Sequence, residues 1–236
     1  MPNKRQLPFS FQRKDKPVKT IGITDEPPER ICSGWIYAFG LYYPRWKIAR
    51  HLNSEWSQAV ILAKRKSENV IGRFGQIIAK HLKSSLIDDM SYVITHVPAE
   101  EDHELYLFLD INRCTTELLA ASIYANLQTK GNVSLETLLF QVKPKARKQH
   151  QCVTDTEREA NVKDVYAVTN SALLQEKIII LVDDILTSGA TITECAKVLK
   201  SAGALSVIGI TLARTERAKK PRFISADNGW IGCEAA

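Results

Sequence analysis

Residues Lys177 to Thr191 read KIIILVDDILTSGAT, and no other stretch limits so sharply what the chain can fold into. Ile178, Ile179, Ile180, Leu181 and Val182 run without polar alternation, the pattern of a strand covered on both faces and therefore central and parallel. Asp183 and Asp184 follow, at the carboxyl end of that strand, where open α/β sheets bind ligands. Thr187, Ser188, Gly189, Ala190 and Thr191 come next, and Ile192, Cys195, Ala196 and Leu199 then recur at helical spacing. The small residues thus deliver unpaired backbone N–H groups at a helix N-terminus.

Such amides, helped by the positive end of the helix dipole, form a cradle for a phosphate. Gly189 lets the backbone come close because it has no Cβ. Two carboxylates beside the cradle repel a phosphate, so they must face another part of the ligand, and the vicinal hydroxyls of a ribose suit them. A sugar 5-phosphate would then place its phosphate on residues 187 to 191 and its 2- and 3-hydroxyls near Asp183 and Asp184. Three other readings compete: a phosphorylatable aspartate, a magnesium-binding carboxylate of a nucleotide hydrolase, and a capped helix. The hydrolase reading needs a G-K-[ST] loop, and the sequence has none. Capping accounts for one of Thr187, Ser188 or Thr191, but not for the two aspartates.

The string IILVDDILTSGAT resembles the phosphoribosyl pyrophosphate signature of type I phosphoribosyltransferases: hydrophobics, two acids, two apolar residues, then [ST]-[ST]-G-x-T. Three further stretches are similar to the ComF-type competence proteins within that family. Glu194 to Thr215, ECAKVLKSAGALSVIGITLART, resembles their helix, A-G-A turn and strand. Gln149 to Val168, QHQCVTDTEREANVKDVYAV, places Arg158, Asn161, Val162 and Val168 on marked positions. Ile61 to Leu82, ILAKRKSENVIGRFGQIIAKHL, matches the lysine-arginine segment and first helix more loosely.

The resemblance implies an α/β type I phosphoribosyltransferase fold, a mostly parallel twisted sheet with helices on both faces, plus a small N-terminal extension. It implies phosphoribosyl pyrophosphate as ligand, with Asp183 and Asp184 catalytic and substrate-binding, and Leu186, Thr187, Ser188, Gly189, Ala190 and Thr191 completing the ribose 5-phosphate loop. Pro98 and Ala99 fall where the diphosphate loop would lie, and Lys145, Arg147, Lys148 and Arg158 in the segment that resembles the flexible hood. Mg2+ is the implied cofactor, carried by the ligand, with Asp183 and Asp184 the candidate side chains toward it. One departure stands out: after Pro98 the chain reads AEEDHELYLFLDINR, with Glu100, Glu101, Asp102 and Glu104 where the family has bases. Four acids beside a diphosphate repel it at short range unless metal intervenes. Three functions therefore stay open: a Mg-dependent transferase with an unknown acceptor, a non-catalytic protein of the same fold tied to DNA uptake or processing whose pocket only senses ligand, and a ribose-phosphate or nucleotide-binding regulator with no nucleic-acid contact.

A chain of 236 residues accommodates one or two domains. The recognisable block covers 56–215, preceded by a basic, proline-containing arm over 1–30 and an aromatic-rich segment over 31–55, and followed by a tail over 216–236. The arm holds six bases and one acid in its first twenty residues, which opens a nucleic-acid contact there, although a solvated tail explains it as well. Trp35, Tyr37, Phe39, Tyr42, Tyr43, Trp46 and Trp56 read as packing residues more than as a base-stacking platform. The net charge of +6 favours an anionic partner of either kind, small phosphate or polymer.

No apolar run reaches the length of a membrane span, and the N-terminus lacks the apolar core of a secretory signal. The five cysteines form no C-x-x-C pair, which fits a reduced, cytoplasmic setting. A homodimer is compatible with the sequence. Periodicity predicts helices over 70–82, 113–127 and 191–202 and strands over 91–97, 164–168, 178–182 and 205–212, with residues 60–62 either helical or extended.

Overall fold

The alternation of buried faces along the central strand is what organises the molecule. The computed structural model describes residues 31–33, 35–99 and 113–216. The described residues form β1 (Ile31–Ser33), β2 (Ile36–Ala38), β3 (Leu41–Tyr42), α1 (Ile48–Asn53), α2 (Glu55–Lys64), α3 (Glu68–Lys83), β4 (Ser91–His96), α4 (Thr115–Leu127), β5 (Val133–Leu135), β6 (Leu139–Gln141), α5 (Asp155–Val162), β7 (Tyr166–Val168), β8 (Lys177–Leu186), α6 (Ala190–Ser201) and β9 (Ser206–Thr215), with two short 3₁₀ turns besides.

β8 is central. It pairs in parallel with β9 on one side and β4 on the other, in the order β1-β2-β9-β8-β4-β5, with β3 also on β9. Among the described strands of this sheet, the β1–β2 pair at the edge is the antiparallel one. Ile178, Ile180 and Val182 face one core, shared with Phe74, Ile78, Leu119 and Ile123 of α3 and α4. Ile179 and Leu181 face the other, with Ile192, Cys195, Ala196 and Leu199 of α6. Both faces are therefore apolar, which is why the sequence shows a continuous run instead of alternation.

Close packing fixes the helices that carry the site. A Cβ on Gly75 of α3 would meet Ser122 Oγ of α4 at 2.1 Å, so the two helices touch backbone to side chain. On α2, Trp56 stacks edge-on against Phe74 at 5.1 Å and donates its indole N–H to the Leu212 carbonyl at 2.9 Å. That anchor pins α2 across β9 and directs its last residue, Lys64, toward the C-terminal ends of the parallel strands.

Several expectations change. Residues 60–62 are helical, inside α2. The central strand does not stop at Val182 but pairs with β9 as far as Leu186↔Arg214, because a ladder needs backbone groups and is indifferent to the carboxylates hanging from it. The strand expected near 164–168 is only Tyr166–Val168, and it joins β6 in a separate antiparallel ribbon rather than the main sheet. Asp164, at φ 56, turns the chain just before it. Within the aromatic-rich segment, residues 36–38 and 41–42 pair in parallel with β9. The acids Glu100, Glu101, Asp102 and Glu104, the basic arm and most of the C-terminal tail lie outside the described residues.

Candidate functional site

At the C-terminal end of the parallel strands lies a cleft of about 790 Å³, and the β8–α6 connection forms its floor. Gly189 is the N-cap of α6 with φ 82 and ψ 0, a left-handed conformation that costs a residue with a Cβ about 1–2 kcal/mol. Ser188 Oγ accepts a long bond from the Ala190 N–H at 3.4 Å, and Thr187 Oγ1 lies 3.5 Å from Thr215 Oγ1. The first N–H groups of the helix have no intrahelical acceptor, and every residue from Asp183 to Ile192 lines the cleft. Apolar anchors behind it, Ile192 and Cys195 in particular, are buried, so this helix end is held by the core.

The carboxylates stand in line along β8. Asp183 Oδ1 accepts from the Asp184 N–H at 2.8 Å, and Asp184 Oδ1 accepts from the Ile185 N–H. Burial, together with the adjacent charge of Asp184, pushes Asp183 up to about 7. Asp184 turns its other oxygen, Oδ2, to Lys64 Nζ at 2.9 Å. Burial works against the Lys64 charge, but Asp184 and then Asp183 outweigh it, and the ammonium is held above its ordinary value.

The opposite wall rises from β4 and α4. Pro98 and Ala99 line it, and the Gln141 amide donates to the Ala99 carbonyl at 2.8 Å. Thr116 Oγ1 donates to the Val97 carbonyl at 2.9 Å, stitching the start of α4 to the end of β4. Cys114, the N-cap of α4, lies 3.9 Å from His96 Nδ1 and 3.1 Å from Thr116 Oγ1. Burial raises the Cys114 thiol, yet the bonds from His96 and Thr116 outweigh it and the net displacement is downward.

The basic segment before α5 forms the third side. Lys145, Gln149 and Arg158 line the cleft, whereas Arg147, expected there from the sequence, does not. The reason is a buried clamp. Asn161 accepts from the Arg147 N–H at 3.0 Å and donates to the Arg147 carbonyl at 2.9 Å and to Gln149 Oε1 at 2.8 Å. This fixes the backbone of residue 147 against α5 and leaves its neighbours 145 and 149 to reach the cavity. Arg158 donates its Nε–H to the Cys152 carbonyl at 3.1 Å.

Of the residues singled out in the sequence, Pro98, Ala99, Lys145, Arg158, Asp183, Asp184 and Leu186 to Thr191 therefore share one cavity. Lys64, Tyr42, Trp46 and Cys114 share it too and were not singled out. Lys64 lies in the K-R-K segment and the two aromatics in the aromatic cluster, but nothing local in the sequence says that either would reach the β8 end. Among the described residues no group of three or more His, Cys, Asp or Glu side chains could hold a metal ion, and no helix is long and apolar enough to cross a membrane.

Residues 125–231 match the family model of the phosphoribosyl transferase domain. The matched stretch contains β8 and α6, whose connection floors the cleft, and the fold is α/β with a mostly parallel sheet. Similar solved structures include a hypoxanthine phosphoribosyltransferase from Staphylococcus aureus, 13% identical over 67% of this chain and 70% of that one, with a TM-score of 0.42. Others are a hypothetical protein from Neisseria gonorrhoeae with bound ppGpp, 13% identical over 66% and 73% with a TM-score of 0.40, and an HGPRT-ase from Leishmania tarentolae in complex with GMP, 15% identical over 69% and 72% with a TM-score of 0.35. No curated protein matches the chain.

Proposed function

We propose that this chain is a ComF-like phosphoribosyltransferase that binds phosphoribosyl pyrophosphate and transfers its phosphoribosyl group to an acceptor. The observation that carries this reading is the continuity of β8 into α6 within one cleft: two carboxylates, a hydroxyl-bearing turn and a helix N-terminus in sequence. The N–H groups of residues 188–191 bind the 5-phosphate and the helix dipole favours its charge. Asp183 and Asp184 accept from the ribose hydroxyls, which fixes the ring and presents its C1. The diphosphate points toward Pro98, Ala99, Lys145 and Arg158. In the transfer the bond from C1 to the diphosphate oxygen breaks, its electron pair leaves with the diphosphate, an acceptor lone pair forms the new bond, and the acceptor releases a proton. Lys145 and Arg158 stabilise the charge that develops on the leaving group.

Asp183 and Asp184 are the side chains that would hold Mg2+, which when bound neutralises diphosphate oxygens. A pair of carboxylates fits this ion only if the ligand supplies further oxygens, the usual arrangement for Mg2+ on substrate phosphates. Calorimetry with phosphoribosyl pyrophosphate, with and without Mg2+, tests the reading. Saturable binding strengthened by Mg2+ and weakened about tenfold in Asp184→Asn is expected, from the loss of a charge-assisted contact. Heat with ribose 5-phosphate but none with the diphosphate would instead select the ligand-sensing alternative.

A further inference from the structure

Lys64 comes from α2, on the far side of β9 from the phosphate turn, yet its ammonium lies 2.9 Å from Asp184 Oδ2 inside the cleft. Its position is imposed by packing: the Trp56 anchor on Leu212 sets α2 on the sheet, and Lys64 is that helix's last residue. The groups facing it are Asp184, Asp183 and Tyr42. A lysine ammonium is a compact point charge with three donors and no acceptor. Here one donor is spent on Asp184, which sets a positive charge against the Asp183–Asp184 pair before any ligand arrives.

A phosphate entering a cleft floored by two bare carboxylates meets repulsion that a divalent cation would ordinarily offset. A tethered ammonium does the same without an ion from solution. It also orients Asp184, leaving Oδ1 on the strand backbone and the carboxylate plane fixed for a ribose hydroxyl.

We propose that Lys64 is a built-in counterion of the Asp183–Asp184 pair, by which the ribose 5-phosphate half of the cleft binds its ligand without a divalent cation. The inference rests on the ribose-phosphate reading of the cleft and specifies one property of it: Mg2+ is needed for the diphosphate of the donor and not for its ribose 5-phosphate part. Lys64 is a positioning and specificity residue in this scheme. It touches Asp184 and selects the ionic state in which the site accepts an anion.

The test is titration calorimetry of ribose 5-phosphate into the full chain, in EDTA and in excess Mg2+, for wild type, Lys64→Met and Lys64→Arg. Wild type should bind equally in both conditions. Lys64→Met should lose about tenfold in EDTA, the size of a contact to a charged group, and recover in Mg2+, a rescue that also demonstrates a folded site. Lys64→Arg should keep its affinity in EDTA, since it restores the charge. Wild-type binding that requires Mg2+ overturns the proposal, as does a Lys64→Met chain unaffected in EDTA or weakened equally in both conditions. Absence of wild-type binding under either condition instead removes the ribose-phosphate reading on which the proposal rests.

Discussion

Asp183→Asn should stabilise the protein at neutral pH, and by an amount that depends on pH in a defined direction. The carboxyl is held at about 7 against an ordinary value of 3.8. Between those values the folded chain keeps a proton that the unfolded chain has lost, so stability falls as pH rises through the window and levels off above it. Three units correspond to about 4 kcal/mol at 1.36 kcal/mol each. Asp183 opens onto the cleft, so water relaxes part of that penalty, and we expect about 1–3 kcal/mol at pH 8. The asparagine keeps a carbonyl oxygen for the Asp184 N–H, which leaves the charge as the main difference. Urea unfolding of wild type and variant at pH 4, 6 and 8 measures it. The variant's advantage should be near zero at pH 4 and greatest at pH 8, while its affinity for ribose 5-phosphate falls. An advantage that does not grow with pH, or a variant less stable at pH 8, would refute the reasoning.

Gly189→Ala places a Cβ at φ 82 and should cost about 1–2 kcal/mol in urea unfolding, with ribose 5-phosphate affinity by calorimetry reduced more than tenfold because the cradle moves. Asn161→Ala removes the three bonds that clamp residues 147 and 149; trypsin should then cut after Lys145, Arg147 or Lys148 several times faster at unchanged global stability to within about 2 kcal/mol. Gly75→Ala drives a Cβ into Ser122 and should lower stability by about 1–3 kcal/mol, with partial recovery in the double variant that adds Ser122→Ala.

How much of this was legible in the sequence depended on whether the determinant was local. β8 and α6 were legible because a five-residue apolar run and a 3.6-residue period each declare themselves within one turn or strand. The turn between them followed from Gly189 and its hydroxyl neighbours. β6 and β7 were not legible in their true pairing, since three-residue strands such as Leu139–Gln141 carry too little alternation to assign a face, and nothing in YAV distinguishes a ribbon from a sheet. The end of β8 was misplaced for the opposite reason: side-chain polarity changes at Asp183, but the ladder to β9 continues through Leu186. Arg147 and Lys145 differ in sequence by two positions and in outcome by the Asn161 clamp, a contact made across a turn. Lys64 lies in the stretch that resembles the family's lysine-arginine segment, but its approach to Asp184 is a product of tertiary packing through Trp56 and β9, which the residues near 64 do not encode.

The central claim is that the turn after β8 binds a sugar phosphate, and a crystal structure of the full chain soaked with ribose 5-phosphate tests it most directly. The account predicts density for the phosphate within hydrogen-bonding distance of the N–H groups of residues 188–191, with the 2- and 3-hydroxyls on Asp183 and Asp184. A ligand bound elsewhere, or one bound with its phosphate against Lys145 and Arg158 and its hydroxyls away from the two aspartates, would contradict it.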